Sequence, residues 1–126
     1  MEKTIESNSH KHTWETYTKS WSVADPSKRL QLFEQCLNPN CVYTDPLMQA
    51  TGFGPLSGYM SELHKNVPGV AFVTTDFKSH HDLSLTHWNM VDGKGNVLSQ
   101  GASYGLYGTD GRLMQMTGFY EPPNAG

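Results

Sequence analysis

Residues 70–120 read VAFVTTDFKSHHDLSLTHWNMVDGKGNVLSQGASYGLYGTDGRLMQMTGFY, and this stretch decides the fold. It alternates apolar and polar residues and is rich in β-branched and aromatic side chains, the pattern of half-buried strands. Asp92-Gly93-Lys94-Gly95-Asn96 and Gly108-Thr109-Asp110-Gly111 interrupt it with hairpin-turn chemistry. The spacing predicts four strands: Val70 to Lys78, Asp82 to Val91, Val97 to Tyr107, and Arg112 to about Tyr120, where Glu121-Pro122-Pro123 ends the last.

Upstream the periodicity changes. Trp14, Tyr17 and Trp21 recur at the i, i+3, i+7 spacing of one helical face, which predicts a helix from about Thr13 to Trp21. Asp25-Pro26 opens a second helix, the carboxylate capping exposed N–H groups and the proline sitting where its missing N–H costs nothing. Leu30, Phe33 and Leu37 form its expected apolar stripe, and Asn38-Pro39 stops it. Cys41 to Asp45 reads as a short strand ending at Pro46, and Met48 to Pro55 as a loop. A third helix follows, with Leu56, Tyr59, Met60 and Leu63 on one face and Val67-Pro68-Gly69 as its stop. Helices segregated from a mostly antiparallel run of strands predict an α+β domain whose curved sheet wraps three N-terminal helices and leaves a concave space between them.

The 126 residues suit one domain, expected over 13–121, with a flexible polar tail at 1–12 and a short C-terminal tail at 122–126. A net charge of −3 with scattered basic residues argues against nucleic acid and against a membrane surface as partners. No stretch approaches the length of a membrane span, and the polar start lacks a secretory signal, so a cytoplasmic protein is the default expectation. The two cysteines, Cys36 and Cys41, are expected as reduced, packed thiols. No metal site is expected: adjacent His80 and His81 face opposite ways on a strand, and His81 and His87 are too far apart for one ion at about 3.3 Å rise per residue.

The element order, with the motifs Tyr43-Thr44-Asp45-Pro46, Asp110-Gly111-Arg112-Leu113 and Gly118-Phe119-Tyr120, resembles the nuclear-transport-factor-2-like superfamily over Trp14 to Glu121. Within it the chain is most similar to the SnoaL-like branch, named for polyketide cyclases, which often shows a His-His pair before a strand Trp, here His80-His81 and Trp88. The superfamily includes ketosteroid isomerase, whose site is also a worked case of carboxyl tuning. Matched by motif, the resemblance places that enzyme's Asp base on Asp45, its Tyr donor on Tyr17 and its second Asp on Ser103. The third position departs in type. A hydroxyl is a weaker acid than a carboxylic acid, so the resemblance implies a pocket more firmly than steroid isomerisation.

Proton abstraction next to a carbonyl needs a carboxylate within hydrogen-bond reach of the C–H, and donors for the developing oxyanion. Asp45 is the candidate base, with Tyr17, Ser103 and His87 as assisting groups and no cofactor. If Ser103 points inward, as the resemblance implies, strand parity turns Gly101, Gly105 and Tyr107 inward with it, the two glycines leaving room for a ligand, and the matching inward set on the last strand is Met114, Met116, Gly118 and Tyr120. Trp21, Phe33, Tyr43, Met60, Trp88, Met116 and Tyr120 are the candidate lining of a mostly apolar small-molecule site. Each has a plainer reading beside the functional one. Asp45 before Pro46 is also a turn residue, and Tyr17 on an aromatic face is also core. His87 and Trp88 have opposite parity, so one faces the pocket and the other outward; an outward Trp would suit a homodimer through the outer sheet face. Two functions stay open: a cofactor-free isomerase, cyclase or lyase acting on a small apolar carbonyl compound, and a noncatalytic ligand-binding or dimeric interaction domain.

Overall fold

The computed structural model describes residues 2–121, with side chains from Ser9 onward; the expected C-terminal tail, 122–126, lies outside the described residues, as do the side chains of 1–8. Three helices, α1 (Glu2–Trp21), α2 (Pro26–Cys36) and α3 (Phe53–Asn66), are joined to six strands: β1 (Leu37–Asp45), β2 (Met48–Thr51), β3 (Ala71–His80), β4 (Leu83–Val91), β5 (Val97–Tyr107) and β6 (Leu113–Phe119). One sheet holds all six in the order β2-β1-β6-β5-β4-β3. Only β1 and β6 run parallel; every other neighbour pair is antiparallel.

Local chemistry explains the elements. Asp25 caps α2, its side chain accepting from the Ser27 N–H at 2.9 Å, with Pro26 at the first helical position. Both hairpin turns carry a glycine with positive φ, Gly95 and Gly111. Asp92 Oδ1 accepts from the N–H groups of Lys94 and Asn96, locking the first of these turns.

Several expectations are corrected. α1 starts well before Thr13, and His10, expected in the tail, is buried with its ring stacked 4.0 Å from that of Tyr107. Met48–Thr51 is a strand rather than a loop, because Asp45 takes the N–H groups of Leu47 and Met48 and turns the chain back onto β1. Leu37 belongs to β1, not to α2. The buried face of α2 is Arg29, Phe33 and Cys36, while Leu30 is exposed. Arg29 is fully buried without a carboxylate. Its guanidinium donates to the carbonyls of Val23 and Ser57 and to the hydroxyls of Ser57 and Ser61, which ties the α1–α2 connection to α3.

The core lies between the helices and the inner sheet face, with Phe33, Leu37, Leu56, Met60, Leu113 and Met116 essentially without solvent contact. Phe33, Met60 and Met116 are therefore core rather than cavity wall; Phe33 packs on Phe53 at 5.5 Å between ring centres. On β6 the alternation slips. The register shifts between Leu106 and Tyr107, so Leu113 takes the inward place and Met114 packs against Gly108. Cys36 and Cys41 are buried and free.

Candidate functional site

The concave side of the sheet holds a cavity of about 520 Å³. α1 supplies Trp14, Tyr17 and Trp21, which touch edge to face in sequence. Trp21 then meets Tyr43 at 5.5 Å and Phe72 at 5.3 Å between ring centres, and Phe72 meets Trp88 at 5.2 Å. Trp88 meets Tyr120 at 6.1 Å, so a nearly continuous aromatic belt surrounds the space. Exposed Leu47, Glu62, Asn66, Leu98 and Glu121 ring the mouth.

Asp45, at the end of β1, is 8% exposed and opens on this cavity. Its Oδ2 accepts from the hydroxyls of Tyr43 at 2.6 Å and Tyr59 at 2.8 Å. Its Oδ1 accepts from the N–H groups of Leu47 at 2.8 Å and Met48 at 3.0 Å. The turn role and the buried-carboxylate role thus belong to one side chain, one oxygen for each. Burial first, then neighbouring acids and the Asp45 carboxylate, push the phenols of Tyr43 and Tyr59 far above their ordinary range. Tyr120 is raised as well, by burial first and then by Asp45, against a hydrogen bond with Tyr59 that lowers it. All three phenols are held in the neutral form beside Asp45.

Tyr17 lines the same cavity, but the phenols that hold Asp45 are Tyr43 and Tyr59. Tyr17 is deeply buried and forms an aromatic wall; burial raises its pKa, against a hydrogen bond with Trp21 that lowers it. Trp88 faces inward and His87 outward, where His87 Nδ1 lies 3.8 Å from Asp76 Oδ2 on the solvent side. His87 is therefore no part of the cavity. His81 leaves the strand with a φ of 52°. Among the described residues no three His, Cys, Asp or Glu side chains gather closely enough to hold a metal.

Ser103 is where parity puts it. The Trp88 indole N–H donates to Ser103 Oγ at 3.0 Å, which leaves the hydroxyl hydrogen to donate into the cavity. Gly101 and Gly105 do face inward, yet they make room for side chains rather than for a ligand: a Cβ at Gly101 would overlap the Trp88 indole, and one at Gly105 would press on Trp14 and Leu113. Gly118 is the glycine that opens the floor. A Cβ there would stand 3.6 Å from Ser103 Oγ and 3.7 Å from Asp45 Cβ.

Reading the sequence missed Tyr59 and Thr86 as members of the site. Tyr59 sits among apolar residues on α3, and only the third dimension brings its hydroxyl to a residue on β1. Thr86 shares the parity of Trp88 and lines the cavity with it; that parity was the available signal.

A curved, mostly antiparallel sheet closed over three helices, with a carboxylate at the floor of an aromatic cavity, defines the cone-shaped α+β class. Within that class the chain has the nuclear-transport-factor-2-like fold and is similar to SnoaL-like proteins of known structure. A candidate isomerase of the SnoaL-like family from Agrobacterium tumefaciens superposes with a TM-score of 0.83 at 25% identity, covering 91% of this chain and 99% of the other. A candidate SnoaL-like polyketide cyclase from Jannaschia gives 0.75 at 11% identity over 91% and 87% of the two chains. A protein of unknown function with a cystatin-like fold from Methylobium petroleophilum gives 0.74 at 16% identity over 94% and 80%. No protein-family model matches the chain, and neither does any curated protein. No helix among the described residues is long and apolar enough to cross a membrane.

Proposed function

We propose that the chain is a cofactor-free isomerase or cyclase that moves a proton on a small, uncharged carbonyl compound. The observation that carries this reading is a carboxylate at the floor of an aromatic cavity with no Lys or Arg among the residues that line it. An anionic substrate would meet the carboxylates of Asp45, Glu62 and Glu121, of which Glu62 is paired at 3.1 Å with the exposed Lys65, outside the lining. A neutral ketone meets aromatic walls and three kinds of hydroxyl donor. Asp45 takes the proton from the carbon beside the carbonyl, and one phenol hydrogen bond to Oδ2 opens to admit it, since the carboxylate has about four acceptor sites and all are used. Ser103 donates to the developing oxyanion, its hydroxyl polarised by the Trp88 indole. The solved relative described as a SnoaL-like isomerase supports the same class of reaction.

The test is hydrogen exchange. Incubation of 2-tetralone with the protein in D2O should load deuterium beside the carbonyl faster than buffer does. Asp45→Asn should abolish the excess when rates are corrected for the folded fraction. Excess exchange that survives in Asp45→Asn would overturn the assignment.

One observation favours the alternative of binding without chemistry: every acceptor site of Asp45 is already engaged within the fold. In that case ligands bind, Asp45→Asn lowers stability, and no exchange is seen with any ketone. We further propose that the chain works as a homodimer through the outer sheet face. There Tyr104 and Phe119 are about half exposed and touch at 6.1 Å between ring centres, in place of the outward Trp that the sequence suggested.

A further inference from the structure

Asp45 is a buried anion with no counterion in the fold. It accepts all four of its hydrogen bonds, two from phenols and two from backbone N–H groups. A protonated carboxyl would have to donate one of them, so the pattern is that of a carboxylate. No ion pair among the described residues includes it, whereas the exposed Asp76 and Asp110 are paired with Lys78 and Arg112. No Lys, Arg or His stands among the described residues that line the cavity. The buried guanidinium of Arg29 is held elsewhere, by Ser57 and Ser61. A buried charge is ordinarily paired, because leaving water is costly.

The rings around that charge suit a cation. Tyr59, Phe72, Trp88 and Tyr120 come from α3, β3, β4 and the residue after β6, and each lines the cavity while only partly buried. The face of an aromatic ring is the negative part of its quadrupole and attracts a cation within about 6 Å of the ring centre. Glu62 and Glu121 at the mouth add negative potential, Glu62 less so for its pairing with Lys65. The lining that repels an anion therefore draws a cation in. Asp45 decides which kind. Its acceptor sites are full, so a primary ammonium would bring three N–H donors to a carboxylate with no site left for them. A compact ammonium is also strongly hydrated and loses more on entry. A quaternary ammonium has no N–H, spreads its charge over its methyl groups, and needs only rings and a nearby anion.

We propose that the cavity binds quaternary alkylammonium compounds, held by the aromatic belt and the charge of Asp45. The neutral ketone of the proposed reaction and the cation compete for one space, so such compounds switch the site off. This rests on the cavity being the ligand site, and not on whether Asp45 moves a proton.

The test compares choline with its neutral isostere 3,3-dimethylbutan-1-ol and with ethanolamine, whose ammonium is primary. Affinities are read by titration calorimetry at low salt. Choline should bind about tenfold more tightly than the alcohol, and more tightly than ethanolamine. Asp45→Asn should remove most of the preference for choline over the alcohol. Phe72→Leu keeps most of the bulk and removes the ring. It should weaken choline about threefold and leave the alcohol little changed, and it decides the matter if Asp45→Asn does not fold. Choline that binds no better than the alcohol overturns the proposal, and so does ethanolamine that binds as tightly as choline. A preference that survives undiminished in folded Asp45→Asn or in Phe72→Leu overturns it too. Deuterium exchange into 2-tetralone is scored separately. A choline preference without exchange sinks the proton-transfer reading and leaves the cation site standing; exchange without the preference does the reverse. Where exchange occurs, saturating choline should stop it, and exchange that continues unchanged overturns the proposal.

Discussion

Cys36 and the buried phenols Tyr17 and Tyr43 are held neutral by the same cause, removal of their charged forms from water. A free thiol ionises near 9, and burial pushes Cys36 up to about 12, with the neighbouring Cys41 adding to the rise. Cys41 and the two phenols are displaced in the same direction, burial first. For an acid whose folded pKa is raised, the stabilisation is complete below the unfolded pKa and is lost as pH climbs toward the folded one. The urea midpoint should therefore be flat from pH 7 to 8.5 and fall above 9. The thiol of Cys36 alone accounts for about 1 kcal/mol per pH unit up to 12, and the phenols add to it above 10. A midpoint that does not move between pH 8 and 10.5 would contradict this. The same burial keeps both thiols from alkylation in the folded protein.

Element by element, the sequence carried most of the fold. Capping at Asp25-Pro26, the two glycine turns and strand alternation placed two helices and four strands within a few residues, because each signal acts within one or two turns of chain, while the first helix was right at its end and eleven residues late at its start. What it hid depends on contacts distant in sequence. The strand at Met48–Thr51 exists because one oxygen of Asp45 folds the chain back. The bulge that swaps Leu113 for Met114 is set by pairing with β5. Periodicity mistook α2 most: Leu30, expected in the apolar stripe, is exposed, while Arg29, outside that stripe, is buried. A cation inside is legible only when its acceptors, two serines on α3 and the carbonyls after α1, are known. Replacing Arg29 with Met should cost about 2–4 kcal/mol, since it strands buried carbonyls and hydroxyls that the guanidinium satisfied. It should also loosen the site, because Ser57 and Ser61 flank Tyr59, the phenol that reaches Asp45. Thermal melting and the rate of exchange measure the two effects; a variant that matches the parent in both would show that the strut is dispensable. As for the site, Asp45, Ser103, Tyr43, Trp21, Trp88 and Tyr120 were legible from parity and motif, whereas His87 was lost when Trp88 claimed the inner face.

At the scale of the whole molecule, the outer sheet face carries the apolar side chains that the interior does not use. Tyr104 and Phe119 should leave that surface when two copies meet. Tyr104→Lys with Phe119→Lys should convert a dimer to a monomer by light scattering, with the helical signal unchanged. A parent protein that is monomeric at 100 μM, or a double variant that stays dimeric, would refute the proposed dimer.

The single parallel pair has a consequence for how the chain is made. β6 lies between β1 and β5, yet it is the last strand along the chain, with most of the domain separating it from β1. During synthesis β1 leaves the ribosome with its β6-facing edge bare and its row of amide groups unpaired, and it stays so until Leu113–Phe119 emerges. Asp45 has no Gly118 beside it and the cavity has no floor until that moment. A nascent chain stalled short of β6 is thus a half-sheet with an open edge, the state in which a chaperone would be met, and the surroundings of Asp45 are assembled in the final step of folding rather than the first.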